Sequence, residues 1–124
     1  MPNLSVKDEL KRVDAVFLGK VLQVQTVGME KIVLFYVFNS WKGIWSRWVR
    51  IRTCENTACC GFDFQKGFTY LVYAHMESDN KLHVSLCSRT TDISNAGEDI
   101  NILSRLGKGS VDEIDNNLVN QKGK

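Results

Sequence analysis

The stretch that decides the fold is IVLFYVF, residues 32–38, an unbroken run of β-branched and aromatic side chains. Such side chains favour strands, and a run without polar alternation is typical of a strand that is buried on both faces or curled within a barrel. On its N-terminal side, residues 15–24 alternate with a period of two and are joined to the run through a turn at Gly28. On its C-terminal side, residues 48–53 alternate apolar and arginine side chains. We therefore predict three consecutive strands.

Two more strands are predicted after a long loop that carries most of the cysteines and ends near Gly67. Residues 68–76 form the fourth strand, and residues 82–86 alternate as a fifth after the polar turn at 78–80. Five short strands of this kind are typical of a partly open Greek-key barrel. The predicted fold class is mainly β: a five-stranded OB-like antiparallel barrel over residues 15–88, with flanking N- and C-terminal helices.

Helices are predicted on both sides of the barrel. Ser5 and Asp8 have the spacing of a capping box ahead of apolar residues at helical intervals. Asn95 is the predicted N-cap of a second helix, whose apolar face comprises Ala96, Ile100, Leu103 and Leu106. A further short helix from Ser110 extends the C-terminal helices over residues 94–120. At 124 residues the chain is long enough for one core, so we predict a single domain over residues 1–124.

Composition and charge exclude several classes of function. Sixteen Lys and Arg against fourteen Asp and Glu leave a net charge of +2, too small to indicate a nucleic-acid or membrane partner by its field alone. No apolar run reaches the roughly 18 residues that a membrane span requires. We therefore expect neither a membrane nor a nucleic-acid partner. No strand-length apolar patch demands a second copy, so we expect a monomer.

The sequence contains no recognisable catalytic constellation. Its two histidines, His75 and His83, fall on adjacent predicted strands, and no nucleophile motif, zinc-protease motif or phosphate-binding loop accompanies them. Histidines in such positions are more often surface or half-buried residues than catalytic ones. We predict that the protein is not an enzyme and has no cofactor.

The four cysteines, Cys54, Cys59, Cys60 and Cys87, admit two chemical interpretations. A zinc site would need four ligands from these cysteines together with His75 and His83, and it is disfavoured because the paired CxxC spacing of zinc knuckles is absent, so no metal is expected. Disulfide or free-thiol roles are favoured, since closing a long loop stabilises a small domain. This cysteine density indicates an oxidising compartment, whereas the N-terminus shows no export signal. The two observations agree if an export signal has been removed, so we expect a secreted or cell-surface protein.

A basic and aromatic stretch at residues 41–52 provides an alternative function. Its members are Trp41, Lys42, Trp45, Arg47, Trp48, Arg50 and Arg52. On an OB barrel, exposed aromatic rings beside arginines can stack against single-stranded nucleic acid. The competing interpretation is structural: Trp41 and Trp48 lie at strand ends, where large rings plug a barrel, and the charges form a solvated face. We favour the structural interpretation.

The order of several sequence blocks resembles a netrin-like domain and, more narrowly, the bacterial relatives of the tissue inhibitors of metalloproteinases. The blocks are AVFLGKV at 15–21, FNSWKG at 38–43, CGFDF at 60–64, YLVYA at 70–74 and LCSRT at 86–90. The resemblance covers about residues 5 to 106. It implies an OB-like barrel flanked by helices, in a secreted protein that acts by binding a protein partner, with a zinc metalloproteinase as the implied target.

In the animal inhibitors of this family, an N-terminal Cys-x-Cys is held by disulfides to two later cysteines, whose positions Cys60 and Cys87 match. The amine and carbonyl of the first cysteine chelate the zinc of the protease. This chain begins Met1-Pro2-Asn3-Leu4 and lacks that segment, so we expect weak inhibition or none.

Without the Cys-x-Cys, Cys60 and Cys87 are either free or bonded to each other, and a separate bond between Cys54 and Cys59 would close the loop. The best predicted contact surface lies in that loop, because the resemblance places the loop beside the N-terminal Cys-x-Cys segment of the family. It comprises Glu55, Asn56, Thr57, Ala58, Cys59 and Cys60.

Overall fold

The protein is mainly β in a computed structural model that describes residues 5–85 and 88–106. In chain order the elements are α1 (Val6–Arg12), β1 (Ala15–Val27), β2 (Glu30–Lys42), β3 (Trp48–Cys54), β4 (Thr69–Met76), β5 (Leu82–His83), β6 (Thr91–Asp92) and α2 (Gly97–Leu106), with short 3-10 helices at Thr57–Cys59 and Ile93–Asn95. Three predicted features lie outside the described residues: the end of the fifth strand at Leu86, Cys87, and the helix from Ser110. Within the described residues, no helix is long and apolar enough to cross a membrane.

Five strands form a closed ring of pairings in the order β1-β2-β3-β5-β4, and β4 pairs back onto β1. The pairings are antiparallel except for β3 with β5, which is parallel through Arg52 and His83. The expectation of a wholly antiparallel ring is therefore wrong at this position. The reason is geometric: strand directions cannot alternate around a ring with an odd number of members. A short sixth strand, β6, which the sequence did not predict, pairs with β4 outside the ring.

The burial of β2 alternates along its length, so the first of the two alternatives predicted for residues 32–38, burial on both faces, is wrong. Val33, Phe35 and Val37 are fully buried, whereas Tyr36 is only half-buried and Phe38 is exposed. Two-sided burial occurs instead on β4, because the helices cover that part of the outer surface. In the core cluster beneath the helices, α1 and α2 pack against β1, β4 and Trp41 near the end of β2.

The interior of the ring is filled by aromatic rings in edge-to-face contact. Phe35 meets Phe17 and Phe64 with ring centroids 5.2 Å apart in each pair, and Phe64 meets Tyr70 at 4.9 Å. Phe64 comes from the long loop rather than from a strand. Pairs of this kind contribute about 0.5–1.5 kcal/mol beyond the burial of their area. The loop is therefore anchored in the core, which restricts the conformations of the cysteine segment that precedes it.

The helix ends agree with the sequence in one case and differ in the other. The Ser5 hydroxyl accepts a hydrogen bond from the Asp8 amide at 3.1 Å, so the predicted cap of α1 is confirmed. Asn95 does not cap α2, because it ends the 3-10 helix that precedes Gly97. Asp92 caps that 3-10 helix instead, by accepting from the Ser94 amide at 2.7 Å.

A buried polar network attaches α2 to the ring. The Arg89 guanidinium donates through Nε and Nη2 to the two carboxylate oxygens of Asp99, at 2.9 and 2.7 Å. The Tyr73 hydroxyl donates to the same carboxylate at 2.9 Å. Burial, reinforced by the nearby Asp99 charge, raises the pKa of Tyr73 far above its usual value. The phenol therefore stays protonated and remains a donor to Asp99.

Candidate functional site

The first candidate surface is a short loop closed by a disulfide, residues 54–60, which we call the clamped loop. Cys54 and Cys59 are bonded to each other, with Cα atoms 5.9 Å apart, so the local bond that the sequence left open is present. The Asn56 side-chain oxygen accepts from the Ala58 amide at 3.0 Å. The backbone carbonyl of Asn56 also accepts from Gly61 at 3.0 Å. Covalent closure and these hydrogen bonds hold the loop in one conformation.

Gly61 follows the clamped loop at a point where a side chain would not fit. A Cβ atom at this position would overlap the carbonyl group of Cys54 and lie 2.9 Å from the carbonyl oxygen of Asn56. Glycine allows the close backbone approach that the loop requires. The next amide, Phe62, donates to the Thr53 hydroxyl at 2.8 Å, and that hydroxyl donates to the Val84 carbonyl at 2.8 Å. The clamped loop is thereby attached to both β3 and the segment after β5.

Cys60 carries a free, exposed thiol directly beside the disulfide. Its φ of 64° lies in the left-handed region, which a residue with a Cβ seldom adopts. Such strain persists only where the surrounding structure enforces it. Here the disulfide on one side and the close approach of Gly61 on the other enforce it.

The clamped loop lies beside the tip of the β1–β2 hairpin. The Glu55 amide donates to the Met29 carbonyl at 2.9 Å, so the two segments are joined by backbone. Met29 is 73% exposed and Val27 is 51% exposed, and we call this pair the apolar tip. Gly28, between them, has a φ of 63°, which a two-residue hairpin turn favours. The clamped loop and the apolar tip together form what we call the clamped end.

A pocket of about 240 Å³ opens next to the clamped end. Its lining residues are Lys31, Glu55, Asn56, Gly61, Phe62 and Asp63. Lys31 and Asp63 form a loose ion pair across it, with Nζ and Oδ1 3.9 Å apart. The pocket therefore offers polar groups of both signs around an aromatic side chain.

The predicted contact residues are found together on the surface. Glu55, Asn56, Ala58, Cys59 and Cys60 are all exposed, and the backbone of Thr57 belongs to the 3-10 helix of the same loop. The sequence analysis missed the apolar tip. The signal was present, because two apolar residues flank a turn glycine where polar residues are usual.

The second candidate surface is a cluster of three rings on the outer side of β2 and β3, which we call the aromatic face. Tyr36 contacts Phe38 and Trp48 edge to face, with ring centroids 5.5 and 5.9 Å apart. Trp48 is 57% exposed, so the prediction that it plugs the barrel is wrong. Trp41 is buried, but in the core cluster between the helices and the outer side of the ring, so it does not plug the barrel either.

Cationic side chains surround the aromatic face. The Arg47 guanidinium lies 5.9 Å from the centroid of the Tyr36 ring, within cation–π range. Lys20 on β1 is opposite Tyr36, and Arg50 on β3 is opposite Leu34. Arg50 has no ion-pair partner among the described residues. Arg52, two residues further along β3, donates to Glu30 at 2.9 Å.

The two histidines are direct neighbours across β4 and β5. Their rings stack with centroids 6.3 Å apart. His75 Nε2 lies 2.8 Å from Glu77 Oε2, and His83 Nε2 lies 3.0 Å from Asp79 Oδ2. The pKa of the Asp79 carboxyl lies below its usual value. Desolvation raises this pKa, but hydrogen bonds from the His83 ring and the Lys81 amide lower it by more. The structure thus pairs the two histidines that the sequence placed on adjacent strands.

No family model and no curated protein matches this sequence. The netrin-like resemblance therefore rests on the sequence blocks alone.

Proposed function

We propose that the protein is a secreted, non-enzymatic protein-binding module with an OB-like, netrin-like fold, and that its partner contacts the clamped end. The ring order β1-β2-β3-β5-β4 supports the OB-like part of this proposal. The disulfide supports the secreted part, because such bonds persist in oxidising compartments.

The observation that carries the proposal is the exposure of apolar side chains beside a loop that a disulfide closes. Met29 is the most exposed of the large hydrophobic side chains described. A side chain of this kind on a constrained backbone favours binding, because little conformational freedom is lost when the partner docks. Methionine is also enriched at interfaces relative to the rest of the surface.

The area that a stable interface requires favours the whole clamped end over the clamped loop alone. The clamped loop alone covers only part of the approximately 800 Å² per partner that a stable interface buries. The apolar tip and the adjoining pocket extend it without any change of conformation. A zinc metalloproteinase is the partner class that the sequence resemblance implies. In that resemblance, Cys60, whose thiol is exposed, matches one of the two positions that bind the upstream cysteines of the family.

The test is direct binding to a small panel of immobilised zinc metalloendopeptidases, with the disulfide intact. We expect weak, micromolar binding that the double variant Val27→Ser, Met29→Ser reduces at least tenfold, because it removes the apolar tip and leaves the loop closed. Phe68→Ser, which removes an exposed ring outside the clamped end, is the matched control and should bind as the parent does. Equal binding by the parent and the tip variant would exclude the clamped end as the contact surface.

A second candidate function is supported by the aromatic face. Its three rings and the surrounding cations have the composition of a single-strand-binding surface on strands β2 and β3. A fluorescent single-stranded oligonucleotide tests it. Binding that weakens steeply with salt and is lost in Trp48→Ala would favour this function over the first.

A further inference from the structure

We propose that His83, Asp79 and His75 form a surface site for one divalent transition-metal cation of the Zn²⁺ type. This proposal does not rest on the proposed protein contact, and the site uses none of the cysteines. It lies where the β4–β5 hairpin meets the end of β3.

The first argument is ligand spacing. Two ligand atoms of a tetrahedral Zn²⁺ site, each about 2.0–2.1 Å from the ion, lie roughly 3.3 Å apart. His83 Nε2 is 3.0 Å from Asp79 Oδ2, and the ligand atoms of Glu30, Asp79 and His83 all lie within 4.8 Å of one another. A nitrogen and an oxygen ligand are thus already close to the separation that coordination requires.

The second argument is that another histidine, His75, lies directly opposite His83 on the neighbouring strand. His75 is in register with His83, and its side chain is 41% exposed, so it can rotate towards its neighbour without displacing core atoms. Glu77 lies 2.8 Å from the His75 ring. Two imidazoles with carboxylates beside them match the preference of Zn²⁺, Cu²⁺ and Ni²⁺ over Mg²⁺ and Ca²⁺.

The charge around the cluster sets the expected affinity. Glu30 directs Oε2 towards His83 Nδ1 at 3.9 Å, while its Oε1 accepts from Arg52 at 2.9 Å. The Glu30 carboxylate therefore supplies negative charge next to the site, but Arg52 offsets part of it. We accordingly expect binding in the micromolar range, as in an exchangeable surface site, rather than the tight binding of a closed structural zinc site.

The sequence makes the test unusually specific, because the chain has only two histidines. The protein is prepared without a polyhistidine tag, and its free thiols are alkylated so that thiolates cannot bind the metal. Zn²⁺ is titrated near neutral pH, and binding is followed by calorimetry and by the imidazole nitrogen signals in NMR spectra. We expect one ion per chain and simultaneous shifts of both imidazoles, with no saturable response to Mg²⁺ or Ca²⁺.

Variants assign the ligands. His83→Ala should abolish saturable binding, and Asp79→Asn should weaken it about tenfold or more. Glu98→Gln, which changes an exposed carboxylate on α2, is the matched control and should bind as the parent does. If His83→Ala fails to fold, His75→Ala at the more exposed position still decides the question. Unchanged Zn²⁺ affinity in either histidine variant, or a response of only one imidazole, would overturn the proposal.

Discussion

The clamped end and the aromatic face both expose apolar atoms, but different forces hold them in place. At the clamped end, a covalent bond between Cys54 and Cys59 and the backbone bond from Glu55 to Met29 restrict the main chain. On the aromatic face, the main chain is ordinary paired strand, and edge-to-face contacts around Tyr36 order the side chains. The first surface therefore depends on oxidation, whereas the second does not. This difference provides a way to decide which surface serves which partner.

The largest effect is expected from adding a Cys-x-Cys segment ahead of residue 2. A Cys-x-Cys placed just before Pro2, with a free amine and disulfides to Cys60 and Cys87, should strengthen inhibition of a zinc metalloproteinase by about a hundredfold, roughly 2.7 kcal/mol. The reason is that a pre-positioned amine coordinates the zinc without losing further freedom. Inhibition constants of both forms against the same proteases measure it. Nanomolar inhibition by the chain without the added segment would show that the Cys-x-Cys does not determine the affinity for the protease.

Opening the disulfide should separate the two surfaces. We expect the double variant Cys54→Ser, Cys59→Ser to lose about 2 kcal/mol of unfolding free energy, since the bond closes a short loop. Chemical denaturation measures this loss. The same variant should bind a protein partner more weakly and bind oligonucleotides unchanged. Cys60→Ser is the control, because it removes a thiol and keeps the loop closed. Loss of both activities together would contradict the independence of the two surfaces.

On the aromatic face, Trp48→Ala should weaken single-stranded oligonucleotide binding at least tenfold, because stacking of one base contributes about 1–3 kcal/mol. Trp45→Ala is the matched control: Trp45 is similarly exposed, at 61%, but makes no ring contact with another described residue. Fluorescence anisotropy measures both. Equal losses in the two variants would indicate that tryptophan exposure, and not the cluster, is responsible.

The smallest effect concerns salt. If Arg50 contacts a phosphate, Arg50→Gln should weaken binding modestly for every sequence and reduce the slope of log K against log salt by about one. Arg105→Gln on α2 removes the same charge away from the aromatic face and should leave the slope unchanged. An unchanged slope in Arg50→Gln would exclude a phosphate contact at this position.

Local sequence pattern was sufficient to predict the strands. The alternation of residues 48–53 and the turn at Gly28 are properties of neighbours in sequence, and the structure has both. The cap of α1 by Ser5 is equally local. The second helix shows where this fails: Asn95 has the right chemistry for an N-cap, but Asp92 three residues earlier already caps the preceding 3-10 turn.

The candidate sites were only half predictable for a related reason. The family resemblance, and not any local pattern, pointed to the contact residues from Glu55 to Cys60, whereas the Cys54–Cys59 bond that closes their loop is a local feature. The neighbouring Met29 is 25 residues before Cys54, and only the pairing of β2 with β3 brings it to the same end. Hydrophobic pattern also could not tell Trp41 from Trp48. Trp41 lies near the end of β2 and Trp48 begins β3, but the helices cover only Trp41.

Sequence pattern alone was enough to establish a mainly β chain and the approximate limits of its strands, since each depends on residues that are close together along the chain. Tertiary structure decided the parallel contact of β3 with β5, the exposed side of residues 32–38, and the meeting of His75 with His83. The physical reason is that strand register and ring closure act between distant segments. A period of two tells which residues share a face, but not which face another layer covers.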